Sequence, residues 1–189
     1  MLYLPAEDSF LLEKEVKSYI IKLKDKNIKV LDMGSGSGIQ AKACLSSGIK
    51  SSNVLCADID QEAINFLNKQ KLKTVQTNLF SKIKNSKNNK KNKFDLIIFN
   101  APYLPEDKNG YDNGLDTTAG KKGNEVILEF LKQAKTYLNK GGRILLLFSN
   151  LSKPRVILEY SKKLGYKFKK LSEESMGMFE KVMVYEFSR

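Results

Sequence analysis

The amino-acid sequence predicts an α/β fold, a seven-stranded and mainly parallel sheet with helices on both faces. Two observations lead to this prediction. Short apolar segments of strand length alternate with longer segments in which apolar residues recur at helical spacing. The last two strand segments follow one another with no helical segment between them, which predicts a C-terminal antiparallel hairpin.

The N-terminal half supplies three strands. A first helix is predicted by an apolar stripe that begins at Phe10, and Asp8 or Ser9 is expected to cap its start. The strands that follow are short buried runs that end in turn residues. In chain order the elements are helix 7–24, strand 28–33, helix 39–47, strand 53–58, helix 61–69 and strand 74–76.

The C-terminal half begins with the most apolar strand up to that point, and Gly141 and Gly142 are expected to end the helix that follows it. Pro154 suits the first turn of the last helix. In chain order the elements are strand 94–99, helix 124–138, strand 143–148, helix 153–164 and strands 167–171 and 182–187.

Length and composition predict one domain over residues 1–189 with a core that needs neither disulfides nor metal. The two cysteines, Cys44 and Cys56, are too isolated for a disulfide framework or a zinc site, so we expect reduced, semi-buried thiols and no metal site. The chain has no histidine, which excludes Ser-His and Cys-His nucleophilic mechanisms. It has no apolar run of membrane-spanning length and no secretion signal, so we expect a cytoplasmic protein.

The formal net charge of +12 favours an anionic partner, but only three of the 33 basic residues are arginine, the residue that nucleic-acid readers prefer. Much of the charge lies in the lysine- and asparagine-rich segment 81–93, which we interpret as a mobile basic surface loop. A nucleic-acid partner is therefore disfavoured.

A glycine-rich turn follows the first strand, with Gly34, Gly36 and Gly38 spaced G-x-G-x-G ahead of a helix. Such a turn lets the backbone approach a ligand closely. Asp58, about 20 residues further on at the end of the second strand, has the spacing expected of a ribose ligand. These features fit either a dinucleotide or S-adenosylmethionine.

The spacing of the glycines, with Asp32 just ahead of them, resembles the turn of class I methyltransferases, as does the order of the elements. The resemblance implies that Asp32 helps to bind the methionine amino group of S-adenosylmethionine. It also implies that Ile59, beside Asp58, lines the cofactor site. Asn78 and Leu79, after the third strand, stand where such enzymes often contact the adenine. Asn78 replaces the more usual aspartate.

The fourth strand ends in Asn100-Ala101-Pro102-Tyr103, at the sheet edge where α/β proteins bind ligands. This turn resembles the N-P-P-Y motif of methyltransferases that modify glutamine amides or the amino groups of adenine and cytosine. The nitrogen of such a group is a poor nucleophile, so the site must hold its N–H groups and aim it. We expect the Asn100 side-chain oxygen and the Ala101 carbonyl to accept those N–H groups, and Tyr103 to pack on the planar group. Ala101 stands in place of the motif's first proline.

The opening segment Tyr3-Leu4-Pro5-Ala6-Glu7-Asp8-Ser9-Phe10-Leu11-Leu12 resembles that of archaeal and eukaryotic HemK-like protein-glutamine methyltransferases. The segment from Leu115 to Ile127 resembles the same family. This resemblance implies N5-methylation of the glutamine in the Gly-Gly-Gln loop of a class I release factor, and a small zinc-binding activator protein as partner. It places Glu7 and Ser9 over the cofactor pocket, although helix capping explains them equally well. The extra N-terminal helical domain of the bacterial enzymes is expected to be absent.

Two alternatives remain open at this point. An RNA or DNA adenine amino-methyltransferase would share both turns, and the net charge favours it. A catalytically silent cofactor-binding subunit is the other, and Ala101 is the residue that hints at it.

Overall fold

The computed structural model describes residues 5–83, 92–103 and 123–189. The segment 115–122, part of the second HemK-like resemblance, lies outside these residues, as do Tyr3 and Leu4. Seven strands are present in the described part: β1 (Val30–Met33), β2 (Val54–Asp58), β3 (Thr74–Gln76), β4 (Phe94–Asn100), β5 (Leu138–Ser149), β6 (Lys167–Ser175) and β7 (Lys181–Ser188). Its α-helices are α1 (Glu7–Ile21), α2 (Ile39–Ser46), α3 (Gln61–Lys69), α4 (Glu125–Tyr137) and α5 (Pro154–Lys163).

The strands form one sheet in the order β3-β2-β1-β4-β5-β7-β6. The first five strands pair in parallel, and β7 is antiparallel to both of its neighbours, β5 and β6. The predicted fold class and the C-terminal hairpin are therefore confirmed. The connections leave the carboxyl ends of β1, β2 and β4 side by side at one edge.

The core consists of two apolar layers, one on each face of the sheet. One layer contains the buried faces of α4 and α5, with Phe130 and Ile157 at its centre. The other packs α1, α2 and α3 against the opposite face, and Val16 and Leu67 are fully buried there. Cys44 and Cys56 belong to this second layer and are fully buried rather than semi-buried, because their neighbours on α2 and β2 face the same packed interior.

The glycine pair does not end α4, so that prediction was wrong. The helix ends at Tyr137 and Leu138 already pairs with Phe94 in the sheet. The register then shifts before Leu96 pairs with Arg143, which leaves the glycines in a bulge inside β5. Long-range strand pairing prevails here over the local preference of glycine for helix ends.

The capping prediction for α1 was also wrong. The N-cap residue is Ala6, which has no capping side chain, and the side chains of Asp8 and Ser9 are buried within the first turn. The helix ends at Ile21, three residues earlier than expected. The first turn of α1 is therefore oriented toward the interior of the protein.

The basic segment begins in the core. Ile83 is buried, and the Tyr137 hydroxyl donates a hydrogen bond to the Phe80 carbonyl at 3.2 Å. Residues 84–91 of the predicted loop lie outside the described residues. Among the helices that are described, none is both long and apolar enough to cross a membrane.

Candidate active site

A cavity of about 310 Å³ opens at the carboxyl ends of β1, β2 and β4. This volume lies at the lower end of the range of roughly 300–1,000 Å³ that is usual for small-molecule sites. It is lined by residues 33–37 of the glycine turn, 58–60 after β2, 77–79 after β3 and 99–103 at the end of β4, together with Asp8 and Ser9 of α1, Ile39 and Gln40 of α2, Ala63 of α3 and Val126 of α4. The edge of the sheet that the sequence predicted as a ligand site is thus a formed cavity.

The glycine turn requires glycine for two different reasons. Gly34 and Gly36 line the cavity and have positive φ, and a Cβ on Gly34 would approach the Phe99 ring to 3.1 Å. Gly38 does not line the cavity. It starts α2, and a Cβ there would lie only 2.6 Å from Leu67 of α3. Gly38 therefore allows two helices to pack closely, whereas Gly34 and Gly36 shape the wall.

Asp58 is nearly buried in the cavity wall, where its carboxylate accepts two backbone N–H groups. Gly36 donates to one oxygen at 2.8 Å and Asp60 to the other at 2.9 Å. The helix cap of α3 is Asp60, whose side chain accepts from Glu62. Asp58 thus links the glycine turn to the end of β2, and each of its carboxylate oxygens can accept a further hydrogen bond.

Asp32 lies behind the glycine turn and does not line the cavity. One of its carboxylate oxygens accepts the Ala41 N–H at 3.1 Å, and the other is buried with no hydrogen-bond partner among the described residues. Burial raises the pKa of Asp32 to about 7, the Ala41 hydrogen bond opposes the rise, and the charge of Asp58 adds to it. A cation close to the free oxygen would favour the ionised carboxylate.

The far wall consists of residues after β2 and β3. Ile59 is half-exposed and Asn78 is exposed, and both line the cavity. Leu79 adopts a left-handed backbone with φ of 46°, an unusual conformation for leucine that is found most often at functional sites. These residues form the part of the cavity wall beside Asp58.

The turn after β4 brings its predicted residues to the opposite wall. The Asn100 amide donates to Asp8 at 2.9 Å and lies 3.5 Å from the Ser9 hydroxyl. Its oxygen is buried and has no hydrogen-bond partner among the described residues. Ala101 is buried, its N–H donates to Leu147, and the Tyr103 carbonyl accepts from Ser152. The turn is thus held by β5 and by the segment after it.

Asp8 is a site residue that the sequence analysis missed. Its carboxylate accepts hydrogen bonds from the Asn100 amide and, at 3.3 Å, from the Tyr103 hydroxyl. Glu7, which the resemblance implied, is exposed and does not line the cavity. Helical spacing could have identified Asp8, because it precedes the buried Leu11 and Leu12 by three and four residues and so shares their inward face.

Gln40 was missed as well. It is buried in the cavity wall, and its amide nitrogen donates to the Ser9 carbonyl at 2.9 Å. The amide oxygen has no partner among the described residues. The signal was again helical spacing, since Gln40 shares a face with the buried Ala43 and Cys44 of α2.

Comparison with known proteins agrees with this geometry. The family profile described as the methyltransferase small domain matches residues 14–175, most of the chain. The chain belongs to this family. The methyltransferase resemblance of the sequence is thereby confirmed.

Individual relatives carry more specific names than the family does. A protein named as an N5-glutamine methyltransferase in Methanocaldococcus jannaschii is 33% identical, over 97% of this chain and 89% of that protein. The eRF1 methyltransferase catalytic subunit mtq2 of Schizosaccharomyces pombe is 30% identical, over 87% of this chain and 80% of that protein. The Mtq2 structure from E. cuniculi, solved with Trm112, has a TM-score of 0.76 at 21% identity and covers 99% of this chain and 98% of its own.

Proposed function

We propose that this chain transfers a methyl group from S-adenosylmethionine to the side-chain nitrogen of the glutamine in the Gly-Gly-Gln loop of a class I release factor. The observation that carries the proposal is the Asn100 amide, whose nitrogen is bound by Asp8 and whose buried oxygen has no hydrogen-bond partner among the described residues. A carboxylate only accepts hydrogen bonds, so Asp8 fixes which end of the Asn100 amide faces away from it. The relatives named as an N5-glutamine methyltransferase and as an eRF1 methyltransferase catalytic subunit support the choice of substrate.

The cavity wall fits S-adenosylmethionine. Asp58, beside Ile59, would hold the ribose hydroxyls, and Asn78 and Leu79 would hold the adenine. Gly34 and Gly36 allow the backbone to approach the ligand. Asp32 lies behind the glycine turn, so its buried oxygen, which has no hydrogen-bond partner in the described part of the chain, would reach the ammonium of the methionine moiety through water. When bound, the cofactor supplies an electrophilic methyl group on a positively charged sulfur.

The chain's own part in the reaction is to orient the glutamine nitrogen that receives the methyl group. A glutamine side chain has a nitrogen lone pair that is delocalised into its carbonyl, so alignment matters more than removal of a proton by a strong base. We infer that Asn100 accepts one N–H and the Ala101 carbonyl the other, while Tyr103 packs on the amide plane. Such alignment supplies on the order of 7–11 kcal/mol of the barrier reduction at best. No histidine is needed, and the chain has none.

Partners and location follow from the same proposal. The class I release factor is the protein substrate, and a small zinc-binding protein acts as activator, as the complex of the E. cuniculi relative with Trm112 suggests. We treat residues 1–189 as one catalytic domain that acts in the cytoplasm, where translation termination takes place. Among the site residues, Glu7 has no role in this proposal because it is exposed outside the cavity.

The test is a methylation assay with the purified chain, S-adenosylmethionine and the class I release factor of the same source, with and without its activator. Total RNA serves as a parallel substrate. Peptide mass spectrometry is expected to find one added methyl on the Gly-Gly-Gln glutamine. That methyl should disappear with Asn100→Ala and persist with Asn53→Ala, a matched control whose amide donates to Asn27 away from the cavity.

Two other results would overturn the proposal. Methylated adenine in the RNA without methylated release factor would make the chain a nucleic-acid methyltransferase. Binding of the cofactor without transfer to either substrate, even with the activator present, would make it a cofactor-binding subunit.

A further inference from the structure

Gln40 combines two properties that are rare together in a protein interior. Its side chain is only 3% exposed, yet its amide oxygen has no hydrogen-bond partner among the described residues. An unpaired buried amide oxygen costs free energy, and native structures retain such a group mainly where a ligand or water completes it. Gln40 also lines the cavity, at the second position of α2 directly after the glycine turn.

The orientation of this amide is fixed by chemistry. The Gln40 nitrogen donates to the Ser9 carbonyl at 2.9 Å, and a carbonyl can only accept a hydrogen bond. The side-chain oxygen must therefore be the end that is left free. Whatever group completes Gln40 has to be a hydrogen-bond donor.

The position of Gln40 selects one donor of the cofactor. The proposed function places the ribose and adenine against Asp58, Ile59 and Asn78, which line the β2 and β3 side of the cavity. Gln40 lies on the α1 side, where its amide is bound to Ser9. The donor that remains at the other end of S-adenosylmethionine is the ammonium of its methionine moiety.

A second buried oxygen without a hydrogen-bond partner among the described residues belongs to Asp32 of β1, behind the glycine turn. Ala41, the residue after Gln40, donates its N–H to the other oxygen of this carboxylate. An ammonium has three N–H groups to satisfy, so one acceptor is not enough for it. The first turn of α2 thus supplies the Gln40 amide oxygen and, through the Ala41 N–H, binds the Asp32 carboxylate.

We propose that Gln40 is a binding residue for the cofactor's α-ammonium, with its acceptor oxygen oriented by the Ser9 carbonyl. This inference rests on the cofactor part of the proposed function and does not depend on which molecule receives the methyl group. By this inference the first turn of α1 orients two side chains: Ser9 orients Gln40 for cofactor binding, and Asp8 orients Asn100.

The test measures binding rather than turnover, by isothermal titration calorimetry of the full chain. The two probes are S-adenosylhomocysteine and its deaminated analogue, in which hydrogen replaces the ammonium. The wild-type chain is expected to bind S-adenosylhomocysteine more tightly than the analogue. Gln40→Leu should weaken S-adenosylhomocysteine binding roughly 10- to 100-fold, because a hydrogen bond to a charged group is lost, and should change analogue binding much less.

Gln40→Glu separates ligand binding from a purely structural role. Glutamate keeps the acceptor oxygen but, like leucine, cannot donate to the Ser9 carbonyl. We therefore expect Gln40→Glu to retain the preference for the ammonium-bearing probe. Gln76→Leu is the matched control, since Gln76 also donates to a backbone carbonyl, that of Ile59, but is exposed and outside the cavity wall. It should leave both affinities unchanged.

Three results would overturn the inference. Equal losses for Leu and Glu variants, or equal losses for the two probes, would show that Gln40 acts only through Ser9. Unchanged binding in Gln40→Leu would show that the free oxygen meets no ligand. A wild-type chain that binds neither probe would instead refute the cofactor assignment itself.

Discussion

Asp8→Asn is the substitution that tests most directly how the Asn100 amide is oriented. It keeps the size and shape of the side chain, removes its charge and replaces one acceptor oxygen with a donor NH2 group. In the wild-type chain Asp8 accepts hydrogen bonds from Asn100 at 2.9 Å and from Tyr103 at 3.3 Å. An asparagine at this position can donate as well as accept, so the Asn100 amide could rotate and turn its oxygen toward residue 8.

The expected effect is on the chemical step. The hydrogen bond of Asp8 to Asn100 involves a charged acceptor and is nearly buried, and such bonds contribute about 1.5–3 kcal/mol. If that free energy maintains the productive orientation, kcat should fall roughly 10- to 150-fold in Asp8→Asn. The affinity for S-adenosylhomocysteine should change far less, because the backbone walls of the cavity are unaltered.

The assay is single-turnover methylation of the release factor, with the dissociation constant of S-adenosylhomocysteine measured in parallel. Glu7→Gln is the matched control. It removes the same charge from the neighbouring residue, whose side chain is exposed and lies outside the cavity wall. It should change kcat by less than about threefold. Wild-type kcat in Asp8→Asn, or an equal loss in the Glu7 variant, would refute the reasoning.

Two further predictions concern buried titratable groups. The pKa of Asp32 is raised from 3.8 to about 7, so the folded chain holds a proton that the unfolded chain has lost between these pH values. Its contribution to stability therefore falls as pH rises through that window, by about 4 kcal/mol at most, and Asp32→Asn should remove the fall. Urea unfolding of both chains from pH 4 to 8 checks this, and a constant difference between them would contradict it. Burial also raises the pKa of Cys44 and Cys56, so neither thiol should react with a thiol reagent until the chain is unfolded. Rapid labelling of the native chain would contradict this expectation.

Features of the structure that depend on interactions between chain neighbours were predictable from the sequence, and features that depend on long-range interactions were not. The strand and helix pattern, the glycine turn and the position of Asn100 at the end of β4 were all predictable. Each depends on residues that are neighbours in the chain, such as alternating apolar segments or glycines with positive φ between a strand and a helix. The edge of the sheet that carries the site then follows from the parallel topology.

The start of β5 was not predictable in this way. Glycine after a helix usually marks its end, and Gly141 has the positive φ of such a position. The chain nevertheless enters the sheet at Leu138, because pairing with Phe94 and burial of Leu138 stabilise the longer strand. The local preference of glycine for helix ends is overridden here by these tertiary contacts.

The orientation of the site's amide groups was decided by tertiary structure alone. The sequence by itself determined that Asn100 and Gln40 are present next to the predicted ligand turns, but an amide can face either way. Asp8, 92 residues from Asn100, and the Ser9 carbonyl, 31 residues from Gln40, bind the nitrogen of each amide, and each oxygen is left without a partner in the part of the chain that the structure describes. These contacts exist only because α1 packs against α2 and the end of β4, and the acceptor-only chemistry of their oxygens then leaves one orientation.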